Sequence, residues 1–208
     1  QGEEACLLGE EGSGRYGAGA IFFTGCNLRC VFCQNREVSH GGKGRELDVR
    51  ELGEKMLALQ QQGAHNINLV TPSHYANEII AALKRVRSKL YIPVVYNCGG
   101  YESLETIDAL AGLVDVYMPD IKYYSPAFSR DYSGAENYFE VARAALLRMY
   151  EQVGRPEMSA SGMMTRGVLV RHLVLPGCRK DSIAILGELA DMFAPGEIIL
   201  SLMSQYTP

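Results

Sequence analysis

The sequence predicts an α/β fold, a partial (β/α)6 barrel of parallel strands. Two observations carry that expectation. Strand-length apolar runs alternate with amphipathic helical patterns six times, over connections short enough for right-handed βαβ units. Polar residues collect repeatedly just past the strand ends: three cysteines, Ser73-His74, Asn97, Asp120 and Lys122. In parallel α/β folds that rim holds the ligand, and several strands contributing to it favour a barrel-like curve over the single crevice of an open sheet.

Each element has its own signal. Residues 1–19 carry Gly9, Gly12, Gly14, Gly17 and Gly19 and read as a flexible leading segment before a core domain over 20–208. Ala20 to Thr24 is the first strand and delivers the cysteine-bearing loop, which Gly41, Gly42 and Gly44 end. Asp48 with Glu51 forms a capping box for a helix striped by Val49, Leu52, Met56 and Leu59 and stopped at Gly63. Asn66 to Thr71 is a second strand, followed by the stripe Ile79, Ile80, Leu83 and Val86. Ile92 to Tyr96 is a third, and Ser103 caps a short helix after it. Val114 to Met118 is a fourth, running into Pro119-Asp120-Ile121-Lys122. A loop rich in Tyr and Ser precedes a helix at about 136–153, and 155–166 reads as a polar surface loop. Val168 to Leu175, a helix from Asp181, and a strand from Ile198 to Met203 complete the pattern.

The chain has 208 residues, 47% hydrophobic and 21% charged, which suits one globular domain. A formal net charge of −4 and the absence of a basic cluster argue against nucleic acid or an acidic membrane as partner. No apolar run approaches the roughly 20 residues of a membrane span. With no secretory signal and thiols clustered rather than dispersed, a reducing, cytoplasmic setting is expected. The chain begins at Gln1 and stops at Thr207-Pro208, so one or both ends are expected to lie inside a longer protein.

The chemistry concentrates in Gly25-Cys26-Asn27-Leu28-Arg29-Cys30-Val31-Phe32-Cys33-Gln34-Asn35. Three thiolates spaced C-x3-C-x2-C after a strand form a soft, negatively charged basket suited to an iron–sulfur cluster, with Cys26, Cys30 and Cys33 as ligands. Three protein ligands leave one metal position open for chemistry. His40 is the loop's other conceivable ligand, although its Gly-flanked chain gives no fixed geometry. The rival is a structural zinc completed by Cys6, Cys98, Cys178 or a histidine, but zinc sites usually pair C-x2-C units and no second pair exists here.

C-x3-C-x-aromatic-C after the first strand of a βα repeat resembles the signature of the radical S-adenosylmethionine (radical SAM) superfamily, with Phe32 as the aromatic. Within it the chain is similar to the pyruvate formate-lyase activating enzymes and their less characterised homologues. Val116-Tyr117-Met118-Pro119-Asp120-Ile121-Lys122 and Val170-Arg171-His172-Leu173-Val174-Leu175-Pro176-Gly177 add matches in the same order. The resemblance implies a [4Fe–4S] cluster whose open iron chelates S-adenosyl-L-methionine (SAM). Reductive cleavage then gives a 5′-deoxyadenosyl radical that abstracts hydrogen, in the activating enzymes from a glycine of a glycyl radical protein. A flavodoxin- or ferredoxin-like donor supplies the electron. Lys122 and Arg171 are then expected at the SAM carboxylate, with Asn35, Ser73, Asn97 and Asp120 as polar contacts and Tyr206 beside the adenine. His74 and His172 are weaker candidates, each equally a satisfied rim or core histidine. Two departures stand out. Activating enzymes carry Gly-Gly-Glu where this chain has Thr71-Pro72-Ser73-His74, and an Asp-Thr pair tied to a monovalent cation where it has Tyr96-Asn97. The alternatives are a radical SAM catalyst on a small molecule or peptide and a non-catalytic metal-binding module.

Overall fold

A computed structural model describes residues 5–8 and 17–206. In chain order these form α1 (Ala5–Leu8), β1 (Gly19–Phe22), α2 (Arg36–Ser39), α3 (Val49–Gln61), β2 (Ile67–Val70) and α4 (Ala76–Val86). Next come β3 (Val94–Cys98), α5 (Leu104–Ala109), β4 (Val116–Pro119), α6 (Pro126–Ser133) and α7 (Tyr138–Val153). β5 (Glu157–Met158), β6 (Met164–Leu173), α8 (Arg179–Met192) and β7 (Ile199–Met203) complete the chain.

Strands β1, β2, β3, β4, β6 and β7 lie side by side in that order, every neighbouring pair parallel. No pairing joins β1 to β7 among the described residues, so the curve stays open: a partial (β/α)6 barrel. Successive strand side chains alternate faces, and this separates two cores. Ile67, Leu69, Val94, Tyr96, Tyr117, Val168 and Val170 pack outward under the helices. Val95, Val116, Met118, Met164 and Leu169 form a second cluster on the other face, with Leu7 of α1 set among them. Leu7 is 1% exposed, and its carbonyl accepts from Asn66 Nδ2 at 2.7 Å.

The capping box forms in full. Asp48 Oδ1 accepts from Glu51 N at 2.7 Å, and Glu51 Oε2 accepts from Asp48 N at 3.0 Å. Such a cap stabilises a helix start by about 1 kcal/mol. The leading segment, read from the sequence as flexible, lies mostly outside the described residues; Ala5–Leu8 within it is helical. Two segments differ from the sequence reading. The Tyr- and Ser-rich loop holds α6, with Pro126 in its first turn and Gly134 ending it at φ 72°. The supposed surface loop over 155–166 contains β5, which pairs antiparallel with the start of β6. No helix among the described residues is long and apolar enough to cross a membrane.

Candidate cofactor-binding site

Strand periodicity carries each inner face from apolar to polar at the carboxyl ends. Val95 is followed two residues later by Asn97, Val116 and Met118 by Asp120, and Leu169 by Arg171. The β4–β6 pairing ends in a bridge between Asp120 and Arg171, which sets these two side by side. Arg171 Nε donates to Asp120 Oδ1 at 2.9 Å, and its Nη2 donates to Asn97 Oδ1 at 3.2 Å. Lys122 Nζ donates to Asp120 Oδ2 at 2.5 Å. Burial pushes the Asp120 carboxyl up, but Arg171 and Lys122 outweigh it and hold the group below the usual carboxylate range. Burial would lower Lys122; Asp120 and Cys30 beside it reverse that and raise it. One carboxylate thus serves two cations, leaving a surplus positive charge at the rim.

The backbone beneath this array is pinned by Tyr138, at the start of α7. Its hydroxyl donates toward the carbonyls of Asp120 at 2.7 Å and Gly99 at 2.8 Å, and accepts from Lys122 N at 3.0 Å. A side chain on Gly100, at φ 80°, would place its Cβ 2.2 Å from the Asp120 carbonyl oxygen, so only glycine fits.

The cysteine loop is anchored by Leu28, which is 1% exposed and joins the outer core. Asn27 Nδ2 donates to Tyr101 O at 2.6 Å, while Arg29 N and Val31 N donate to Ser133 O and Tyr132 O at 3.0 and 2.9 Å. Gln34 Nε2 reaches Gln205 O beyond β7 at 3.3 Å, spanning the open side of the barrel at its rim. Each sulfur of the triplet has a polar neighbour. Leu28 N donates to Cys26 Sγ at 3.4 Å, Ser133 Oγ to Cys30 Sγ at 2.9 Å, and Ser39 Oγ lies 3.3 Å from Cys33 Sγ. Burial pushes the Cys26 thiol up, opposed by the Leu28 N–H and by Lys122.

Cys26, Cys30, Cys33, Asn35, Asn97, Asp120, Lys122 and Arg171 line one cavity of about 500 Å3. Two of the seven main SAM contacts expected from the sequence do not join them. Ser73 donates its hydroxyl to Glu102, and Tyr206 lies just past the lining residue Gln205, on the surface. Asp120 has both carboxylate oxygens in ion pairs, so it positions the cations. Asn35 precedes α2 without a side-chain cap bond, which leaves its amide on the cavity wall. His172 is a buried core histidine, its ring nitrogens 2.6 Å from Ile121 O and 2.9 Å from Ser182 Oγ, its pKa lowered by burial. His74 packs on Gly25. His40 Nδ1 lies 2.8 Å from Ser39 Oγ, the hydroxyl beside Cys33. Sequence reasoning missed Tyr138, Ser133, Ser39 and Glu102, none of which sits in a motif.

Cys26, Cys30, Cys33, Cys98 and Cys178 are not joined in disulfides. Cys98 also reaches the cavity wall, but burial and the neighbouring Glu102 charge push its thiol up. Among the described residues no three His, Cys, Asp or Glu side chains converge closely enough to hold a single metal ion. A multi-iron cluster takes each thiolate on a different iron, so three half-buried, hydrogen-bonded thiols along one wall fit it better than they fit zinc.

Known proteins resemble this chain in sequence and in fold. The uncharacterized protein MJ0674 of Methanocaldococcus jannaschii is 26% identical over 201 residues, covering 90% of this chain and 53% of that protein. The chain thus spans about half the length of this curated relative. Streptococcus suis SuiB bound to S-adenosylmethionine shares the fold at a TM-score of 0.57 and 10% identity, over 91% of this chain and 42% of SuiB. SuiB bound to its precursor peptide SuiA gives 0.58 and 10%, over 90% and 40%. The sequence profile of the radical SAM superfamily matches residues 20–173, and the chain belongs to that superfamily.

Proposed function

We propose that the chain is the core of a radical SAM enzyme, with a [4Fe–4S] cluster on Cys26, Cys30 and Cys33 and SAM in the adjoining cavity. When bound, the cluster supplies the electron that cleaves the SAM sulfonium to methionine and a 5′-deoxyadenosyl radical, which takes a hydrogen atom from the substrate. The observation that carries this reading is the meeting of three thiols with the Asp120–Lys122–Arg171 array in one cavity. Lys122 and Arg171 bind the SAM carboxylate, with the plane of the Arg171 guanidinium fixed by its bonds to Asp120 and Asn97. Asn35 and the free amide hydrogens of Asn97 bind polar groups of SAM. Tyr206, beside Gln205, borders the adenine. Ser133, Ser39 and the Leu28 N–H donate to the thiolates and stabilise their negative charge.

The hydrogen donor we assign is a glycine of a partner protein, following the likeness to activating enzymes, and the electron comes from a flavodoxin- or ferredoxin-like protein. A peptide substrate is the second reading, favoured by the precursor peptide that SuiB binds. Anaerobic reconstitution with iron and sulfide, then dithionite and SAM, tests the reaction. Release of 5′-deoxyadenosine is expected; its absence from a fully loaded protein would refute the proposal. An EPR glycyl signal on a co-encoded partner separates the first substrate reading from the second.

A further inference from the structure

One buried acid stands outside the cavity lining. Glu102, between β3 and α5, is 4% exposed. Its Oε1 accepts from the Ser73 hydroxyl, and its Oε2 accepts from Tyr96 Oη at 3.2 Å. Among the described residues no lysine or arginine pairs with it. A buried carboxylate satisfied only by neutral donors costs more than an apolar side chain of similar size would. Its presence calls for something that an apolar side chain could not do.

What it grips is the turn after β2. Thr71 is the one described residue other than glycine with positive φ, at 58°. A β-branched side chain in the left-handed region is strained, and Pro72 restricts Thr71 further. Thr71 N still donates to Asn97 O at 2.9 Å, so the sheet ladder runs right up to the strained residue. Thr71 lines the cavity between Val70 and Asn97, whereas Ser73, two residues on, is turned away to Glu102. The strained residue faces the cavity, and the bond that restrains the turn lies behind it.

We propose that Glu102 is a positioning residue that, acting through Ser73, holds the Thr71–Ser73 turn in the left-handed conformation and so keeps Thr71 on the cavity wall. The proposal rests on the reading of this cavity as the SAM site. Without the Glu102 acceptor, the turn relaxes toward ordinary φ, and Thr71 leaves the wall.

The test is equilibrium SAM binding by the reconstituted protein, with cluster absorbance as a loading control, across E102L, E102D and E102Q in wild-type and T71G backgrounds. E102L removes the acceptor and E102D withdraws it by one methylene. Each is expected to weaken SAM binding about tenfold, the scale of the left-handed preference lost by a non-glycine residue. E102Q keeps an acceptor for Ser73 and stays within about threefold. Glycine adopts φ 58° without strain, so in the T71G background E102L and E102D should cost about threefold or less. Should E102L fail to fold, E102D carries the same comparison. Equal losses in the two backgrounds, or no loss at all, would overturn the inference while wild type still binds SAM. A loaded wild type that takes up no SAM would instead bring down the cavity reading, and the inference with it.

Discussion

Replacing Asp120 with asparagine exposes the energetics of the rim. The three charged side chains are 18% (Asp120), 16% (Lys122) and 23% (Arg171) exposed, so water screens them little. Asparagine is nearly isosteric and keeps one carbonyl oxygen for Arg171. Its amide nitrogen, however, then meets the Lys122 ammonium donor to donor, where the carboxylate accepts at 2.5 Å. Breaking a buried pair by removing one partner costs roughly 3–5 kcal/mol. At about 2–4 °C per kcal/mol for a chain of this size, the low end of that range corresponds to a fall in Tm of about 6–12 °C. SAM should restore part of the loss, because its carboxylate replaces the missing counter-charge, so the ligand-induced rise in Tm should be larger for the variant than for wild type. Circular dichroism melts of anaerobic protein with and without SAM measure both quantities. A Tm within about 2 °C of wild type, or an equal SAM effect on both proteins, would refute the one-carboxylate, two-cation account.

Cys30→Ala should abolish cluster retention and SAM cleavage, read by iron content and 5′-deoxyadenosine; turnover by that variant would remove Cys30 from the ligand set. Leu28→Ala should destabilise the protein by roughly 2–5 kcal/mol in denaturant titrations, because Leu28 is the apolar anchor of the cysteine loop, and cluster loading should fall with it. Burial pushes Glu102 up to about 7, above the ordinary 4.5, despite the Ser73 and Tyr96 donors. A carboxyl raised in the folded state contributes stability that is fully present below the unfolded pKa and is lost as pH rises through the folded one. Wild type should therefore lose stability relative to Glu102→Gln between about pH 4.5 and 7, by on the order of 3 kcal/mol. A stability difference between the two that does not change with pH would contradict this.

The strands were legible as apolar runs: β2, β3 and β4 are buried on both faces, and the edge strands β1 and β7 keep the run although Phe22 and Leu202 are exposed. All six appear within about four residues of where the sequence puts them at either end. The Asp48–Glu51 box was legible because capping is local chemistry. Helix α6 was missed because its composition, Pro-Ala-Phe-Ser-Arg-Asp-Tyr-Ser, has weak helix formers and no long apolar stripe; Ser125-Pro126 and Gly134 were its signals. At the site, motif residues placed on strand ends by periodicity came together, as Asn97, Asp120 and Arg171 did. Ser73 did not, since its orientation depends on Glu102, 29 residues away, and no local pattern reveals such a partner. Tyr138 escaped for the same reason. Its position on a helix start says nothing of the three backbone groups that its hydroxyl joins.

We propose that three cysteines hold a cluster with one open iron, beside a cavity that seats SAM. Iron, sulfide and zinc analysis of the reconstituted protein, followed by EPR of the dithionite-reduced sample with and without SAM, tests it most directly. About four irons and four sulfides per chain, with a cluster signal that changes on SAM addition, is the expected result. One zinc and no iron, or a cluster signal indifferent to SAM, would contradict the account.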